Sequence, residues 1–589
     1  MVVDNEQIMK KWWAEGDIAV HTNSRAAYFV DGRSAMLTFC LHFLKAHKYI
    51  YIASWGLSPD LELVRGNDHR AGPDGSPEQE TLVAGLRARG LEQADIDFWC
   101  THELSVQAVL GYAVSKGVEA KVLLWCGPEL PVLIHDKPKE AQRQLLEVGV
   151  TCILDDSAQG IVHHPFESLH QKISIVDGTH AFVGGIDPVM ELSGEFDRWD
   201  SPLHLFSSPA RRTKIGTSPH PWHDAHALIE GPAAADVEHN FRQRWNSMVE
   251  RHARNDLLLL EHPPALPLES KIIMQVARTI PERTYHLDLE AGIQGIAQQY
   301  INALSNAQRF IYLENQYFWL HAGIGIVLPS LGRECLAMEH IIRELGDALR
   351  RGVTITLVLP DHPNVGRADT DASLAHLRGE APEAIAQGRL QVFCLGSSTC
   401  QEDGEHYRPI YVHAKVAIID DLWTTVGSAN LNNRGMRDDT EMNVTTLDEE
   451  LAQGLRLMLW AEHLGLVNEE DLFGLASYLG QQYQRQEDEA HAKHLYHSLQ
   501  ETLGDQLVGL TLMAERAEDN LRRYKAGQPL LGHLLPYLTA QEARQHGLPF
   551  REEHGWIEEA QASLEHVSFV DFVRSERGRA GDAEILTHP

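Results

Sequence analysis

Positive charge is scarce in this sequence. Fifty-one Lys and Arg stand against 83 Asp and Glu over 589 residues, for a formal net charge of -32. So negative a surface repels the phosphates of DNA and RNA, and nucleic acid is not expected as a partner. Cysteine is sparse: seven residues, an odd number, with no CxxC pair. That excludes a disulfide framework or a cysteine zinc site as the organising feature. No run of about 18 apolar residues is present, so no membrane-spanning helix is expected. No GxxxxGK[ST] loop is present either, which excludes the phosphate cradle of P-loop nucleotidases. Residues Met1 to Glu15 carry Asp4, Glu6, Lys10 and Lys11 and lack the apolar core of a signal peptide. Export, if it occurs, is expected by a non-classical route.

Short apolar, β-branched runs are frequent. Tyr49–Ala53, Ala120–Trp125, Ile173–Val176, Phe310–Leu313, Val353–Leu359 and Val416–Ile419 read as buried strands. Helical patterns precede two of them, at Gln107–Lys116 and Met338–Arg351. Alternation of this kind predicts an α/β fold with a mostly parallel sheet. The grammar also occurs twice: "ALRRGVTITLVLP" from Ala348 echoes "AVSKGVEAKVLLW" from Ala113. The expected architecture is two similar α-β-α sandwich halves related by pseudo-twofold symmetry, with one active site at their interface. The first half spans 1–265 and the second 266–478, joined through the Pro-rich Glu261–Glu269. Residues 479–589 are expected to form a helical C-terminal extension, frayed from about Arg577.

Histidine is abundant, with 33 residues, so only spacing is informative. "HQKISIVDGTHAFVGGID" from His170 overlays "HAKVAIIDDLWTTVGSAN" from His413. His170 matches His413, Lys172 matches Lys415, Asp177 matches Asp420, Gly184 matches Gly427, and Asp187 takes the place of Asn430. His and Lys two apart on a strand face one pocket. Two such motifs face to face would present two imidazoles and two ammonium groups to one anion, the requirements of a phosphodiester. One neutral imidazole attacks phosphorus while a protonated one donates to the leaving oxygen. Lys172, Lys415 and Asn430 would hold the charged oxygens. No metal or other cofactor is then required, and no segment of the sequence resembles a metal cage. Asp177 and Asp420 lie past the strand and are expected to anchor turns. Asp187 would sit beside the phosphate, where a carboxylate is repulsive unless paired with Lys, and its role is open. Trp55, Trp125, Tyr317, Phe318 and Trp319 are candidates for cleft lining or core, with core the better reading for Trp125. His163 and His164 are expected to cap a loop over the site.

The repeated HxKxxxxD motif with its trailing GG or GS resembles the phospholipase D superfamily. The flanks "FVGGID", "PWHDAHALIEGPAAADVEHNFRQRWN", "YLENQYF", "GSANLNNRGMRDDTEMNV" and "LRLMLWAEHLG" are similar to eukaryotic-type phospholipase D enzymes and to bacterial lipases of that type delivered by type VI secretion. The resemblance implies that His170 is the nucleophile, forming a phosphohistidine, and that His413 is the acid and then the base. It implies that Asp224 and Glu441 orient the histidines, Asp438 and Asp439 being the alternates to Glu441. A carboxylate on a ring N–H fixes the tautomer and raises basicity. The implied substrate is a glycerophospholipid at a membrane surface. The implied setting is an antibacterial effector that acts in the periplasm of target cells, with a secretion-apparatus spike protein and an immunity protein as partners. Phosphatidyl transfer to another alcohol and a non-lipid phosphodiesterase or nuclease are the alternatives, as is a non-catalytic module on the same fold.

Overall fold

The computed structural model describes residues 12–127, 138–157, 168–190, 196–212, 219–282, 284, 292–321, 336–363, 365–482, 485–552 and 554–558. Two mixed sheets organise them. The first contains β1 (Arg25–Val30), β2 (Tyr49–Ser54), β3 (Glu119–Trp125), β4 (Thr151–Asp155), β5 (Ile173–Val176), β6 (His180–Gly184) and β8 (Ala225–Glu230), in the order β1-β8-β6-β5-β2-β3-β4. A two-residue strand, β7 (Trp222–His223), precedes β8 but pairs elsewhere.

The second sheet holds β9 (Ile273–Ile280), β10 (Ile293–Gln294), β11 (Phe310–Asn315), β12 (Thr354–Val358), β13 (Leu390–Gln401), β14 (Gly404–Val412), β15 (Lys415–Ile419), β16 (Trp423–Gly427) and β17 (Glu441–Leu447). Its path β9-β17-β16-β15-β11-β12-β13 repeats the first sheet strand for strand. The directions repeat as well. The first four neighbour pairs of each path are antiparallel and the last two parallel.

That pattern corrects the expectation of a mostly parallel sheet. The helix-linked strands are parallel, as the strand–helix alternation suggests. The strand after each HxK motif turns back at once in a hairpin instead. Asp177 and Gly178 make the first turn with φ of 54° and 69°, and Asp420 and Asp421 make the second with φ of 55° and 51°. A short apolar run carries no information about direction, so periodicity alone could not separate these cases.

The two turn aspartates do further work. Asp177 accepts the backbone N–H of His47, Lys48 and Tyr49 at 2.7–3.0 Å, at the entrance to β2. Asp420 accepts those of Gln308, Arg309 and Phe310 at 2.8–2.9 Å, at the entrance to β11. Each carboxylate therefore ties its hairpin to the start of the neighbouring strand and satisfies three otherwise unpaired donors.

Residues 258–272, which include Glu261–Glu269, form no helix or strand. The C-terminal region carries helices at Gln486–Leu503 and Gln506–Lys525, but also a strand, β18 (Leu534–Pro536), that pairs antiparallel with β13. It is thus part of the second sheet and more than a helical appendage. Arg577 and the residues around it lie outside the described residues. Among the described residues no helix is long and apolar enough to cross a membrane.

Candidate active site

The two motifs sit where the sheets meet. His170 and Lys172 stand just before β5, and His413 stands between β14 and β15, whose first residue is Lys415. The histidines are therefore not inside the strands, as the sequence suggested. Each has left its own sheet to pair with the opposite chain segment. His170 N donates to Thr440 O at 3.1 Å, and His413 N donates to His223 O at 2.8 Å. Thr440 and His223 are the residues immediately before Glu441 and Asp224. β7 supplies the second contact by running parallel to β14, with Val412 opposite His223.

This crossing decides the side-chain pairing. His170 Nδ1 meets Glu441 Oε1 at 2.8 Å, and His413 Nδ1 meets Asp224 Oδ2 at 2.7 Å. Each imidazole is held by a carboxylate from the other motif's flank, so neither motif completes a site alone. With Nδ1 engaged, Nε2 of each ring is the nitrogen left to face a substrate. His170 keeps 17% of its side chain exposed and His413 only 6%, so the first ring is the more open to an incoming group. Of the alternates to Glu441, Asp439 pairs with Arg434 at 2.7 Å and Asp438 with Arg437 at 2.7 Å.

The lysines fold back on their own motifs. Lys172 Nζ donates to His170 O at 2.7 Å and lies 3.2 Å from Asp187 Oδ2. Asp187 also accepts from Ser54 Oγ at 2.6 Å, so its charge is compensated as the sequence argument required. It positions Lys172 instead of facing phosphate as a ligand. Lys415 Nζ donates to His413 O and, at 3.0 Å, to Gln316 Oε1. Gln316 Oε1 also accepts from Asn430 Nδ2 at 3.2 Å, and no described group hydrogen-bonds to the buried Asn430 Oδ1.

The paired glycines have a steric reason. A Cβ on Gly185 would lie 2.0 Å from Asp224 Oδ1, and one on Gly427 would lie 2.0 Å from Asn443 Oδ1. At the place of Gly185 the second motif has Ser428, whose hydroxyl donates to Glu441. Ser428 and Gln316 were not singled out from the sequence, although both fall in quoted motifs. Arg198 was missed as well. Its guanidinium lies 4.0 Å over the Trp222 ring, and its charge reaches both Asp224 and His413.

Electrostatics unite the groups. Burial holds His170 well below the ordinary imidazole value, reinforced by the charges of Lys172 and Lys415. Burial does the same to His413, reinforced by Lys415, Arg198, Lys172 and His170. Burial also lowers Lys415 to about 7, opposed by Asp224 and reinforced by Lys172. It raises Asp224 to about 6, and pushes Glu441 well above the carboxylate range with help from Asp439. Each lysine acts on the histidine of the other motif. The two histidines, two lysines and two carboxylates therefore form one electrostatically linked centre.

A family model described as "Phospholipase D" matches residues 42–323 and 387–537. The chain belongs to the phospholipase D family. A second model, "Cardiolipin synthase, PLD-like domain", matches residues 300–460. Phospholipase D alpha 1 of Carica papaya is 26% identical over 545 residues, which cover 72% of this chain and 63% of that protein. That of Zea mays is 26% identical over 547 residues, covering 73% and 63%. The chain thus spans less than two thirds of the length of these relatives. Among solved structures, a phosphatidylserine synthase of Haemophilus influenzae is similar at 13% identity and a TM-score of 0.42, over 72% of this chain and 83% of that one. Nuc of Salmonella typhimurium, a phospholipase D family member, is similar at 19% identity and a TM-score of 0.20, over 31% of this chain and 90% of that one.

The aromatic candidates divide. Phe318 and Trp319 are buried in core positions, as is Trp125, on which Trp55 stacks at 5.8 Å. Tyr317 stays half-buried against Trp319 at 4.3 Å. His163 and His164 lie outside the described residues.

Proposed function

We propose that this chain is a phospholipase D. It hydrolyses the headgroup phosphodiester of glycerophospholipids to phosphatidic acid through a phosphohistidine. The observation that carries the reading is the crossed pairing, His170 with Glu441 and His413 with Asp224, around two lysines. The repeated strand order supports two halves related by a pseudo-twofold axis, with this site at their junction.

In the first step His170 Nε2 attacks phosphorus. The P–O bond to the headgroup breaks, and His413 gives its Nε2 proton to the departing alcohol oxygen. In the second step neutral His413 takes a proton from water, the oxygen attacks phosphorus, and the P–N bond to His170 breaks. Lys172, Lys415 and Asn430 hold the non-bridging oxygens, where charge is greatest in the transition state. Burial and the lysine charges hold both imidazoles well below the ordinary value. A bound phosphodiester anion opposes the lysine charges and lets His413 take up the proton it must donate.

The same intermediate can pass its phosphatidyl group to an alcohol, and the similarity to a synthase domain favours reading that product in the same assay. The test is a panel of choline, ethanolamine and glycerol phospholipids, with mass spectrometry for phosphatidic acid and phosphatidylalcohol. Headgroup release that vanishes in His170→Ala and His413→Ala is expected. Unchanged release in either variant would sink the two-histidine mechanism.

Resemblance to type VI secretion lipases supports a further reading: an antibacterial effector, carried by a spike protein and neutralised in the producer by an immunity protein. Expression in the periplasm, but not in the cytosol, should then be toxic to a bacterial host, and harmlessness in both compartments would remove the idea.

A further inference from the structure

Directly behind Asp224 lies a group of buried side chains that the reaction does not use. Asp31, His204, His223, Glu314, Glu462 and His463 are all fully buried. One nitrogen or oxygen from each of Asp31, His204, His223 and Glu462 lies within 4.8 Å of all the others. They come from four distant places: the start of the helix Asp31–Leu44, the segment around residue 204, β7, and the helix Glu449–Leu464. No sequence motif links them, which is why the sequence was read as holding no metal cage.

Three features set this cluster apart from an ordinary ion-pair network. The first is unmet hydrogen bonding. Asp31 Oδ2, His204 Nε2, both carboxylate oxygens of Glu462 and His463 Nδ1 are buried and make no hydrogen bond among the described residues. His204 Nε2 and Glu462 Oε1 are 2.8 Å apart, yet the contact fails the geometry of a hydrogen bond. These five atoms meet one another only as charge contacts, His463 Nδ1 with Glu462 Oε2 and His204 Nε2 with Glu462 Oε1 and Asp31 Oδ2, and buried groups paired without hydrogen-bond geometry are costly unless something else satisfies them.

The second is the arrangement of the imidazoles. Each has one nitrogen turned to the centre and the other on a carboxylate. His204 Nδ1 meets Asp200 Oδ2 at 2.9 Å, His223 Nε2 meets Glu314 Oε2 at 2.8 Å, and His463 Nε2 meets Glu314 Oε1 at 2.9 Å. Asp200 is in turn fixed by Arg211 at 3.0 and 3.1 Å and by Trp222 N at 2.9 Å. A carboxylate behind the imidazole is how proteins orient a histidine toward a metal. The third is backbone strain: Asp31 and His204 are non-glycine residues with φ of 64° and 37°. Such conformations persist where the surroundings impose them, commonly at binding sites.

We propose that Asp31, His204, His223 and Glu462 form a structural site for one divalent first-row transition ion of the zinc class, with His463 as its neighbour. The contacts His204–Glu462, His223–Asp31, His204–Asp31 and His223–Glu462 measure 2.8, 3.0, 3.4 and 3.8 Å. These contacts use both oxygens of Asp31 and both of Glu462, and with one donor atom taken from each residue the four lie within 4.8 Å of one another, close enough to draw in around a zinc-class ion. Two imidazoles and two carboxylates favour such an ion over calcium or magnesium, which prefer all-oxygen sets.

The site would be a clamp rather than a reactant. Asp31 N donates to Asp224 O at 2.8 Å, and His223 O accepts from His413 N at 2.8 Å. An ion here would hold the β7 segment, and hence the Asp224–His413 pair, against the helix Glu449–Leu464. The competing account is three imidazolium ions that neutralise the same carboxylates with no metal.

The test is metal content. The full chain, dialysed against chelator and then given Zn2+, should retain one equivalent by plasma mass spectrometry after exhaustive washing. His204→Ala and Glu462→Gln should lose it while circular dichroism shows them folded. Asp200→Asn should weaken Zn2+ binding by about 10- to 100-fold. If the ligand variants do not fold, crystals of the unaltered protein soaked in Zn2+ should show an anomalous difference peak among the four side chains. No retained Zn2+ in the folded wild-type chain, an undiminished equivalent in folded variants, or no such peak would each overturn the proposal.

Discussion

Raising the pH from 7 to 9 should cut kcat/KM by about 50-fold, because Lys415 loses its charge over that interval. Lys415 is fully buried, and its ammonium falls from the ordinary value of 10.5 to about 7. That difference corresponds to about 5 kcal/mol against the charged form. A lysine is charged below its pKa and neutral above it. Substrate therefore meets a phosphate-binding ammonium below pH 7, and above it a neutral amine that cannot offset the phosphodiester. Each further pH unit removes the charged form about tenfold. The assay is initial-rate headgroup release at subsaturating lipid, with buffers of constant ionic strength. Lys415→Arg keeps its charge throughout, so the alkaline fall should disappear even though the guanidinium, a planar fork, lowers the ceiling. A wild-type profile flat to pH 9, or a Lys415→Arg profile that falls like the wild type, would refute the reasoning.

Other expectations follow from the same contacts. Glu441→Gln puts an amide where a carboxyl holds His170 Nδ1 and Ser428 Oγ, so the ring loses its fixed orientation and kcat should fall by about 10- to 100-fold with little change in the unfolding midpoint. Gly185→Ala drives a methyl group to 2.0 Å from Asp224 Oδ1. About 1–3 kcal/mol of overpacking should appear as lost activity, with a conservative change inside the neighbouring strand β6 having no such effect. Asp420→Ala removes the acceptor of three backbone N–H groups and should destabilise the fold by about 2 kcal/mol in chemical denaturation. Its kcat should match the wild type at permissive temperature, since Asp420 does not touch the site.

What the sequence showed and what it hid can be traced to particular residues. The strand at Ile173–Val176 was legible because Ile173, Ile175 and Val176 make a short β-branched run that stops at Asp177. The anchoring role of Asp177 and Asp420 was legible because each lies past its strand, off the His–Lys face. The direction of β6 and β16 was not, since a buried strand reads the same either way. The carboxylates Asp224 and Glu441 could be located but not paired. His170 and Glu441 are 271 residues apart, and only the packing of the two sheets decides that Glu441 serves His170 and not the histidine nearer in sequence. Gln316 was invisible as a site residue because nothing in "YLENQYF" says which side chain turns toward Lys415. The cluster around His204 was hidden for the same reason: its members acquire a common neighbourhood only in the fold.

In the proposed reaction one phosphorus atom passes through a covalent bond to His170 under the control of His413. Rapid quenching of the wild-type chain with phospholipid in the first turnover, followed by peptide mapping, reads this directly. A phosphatidyl adduct on the peptide carrying His170, absent in His170→Ala, is the result predicted. An adduct on His413 alone, or none on any histidine while product accumulates, would contradict it.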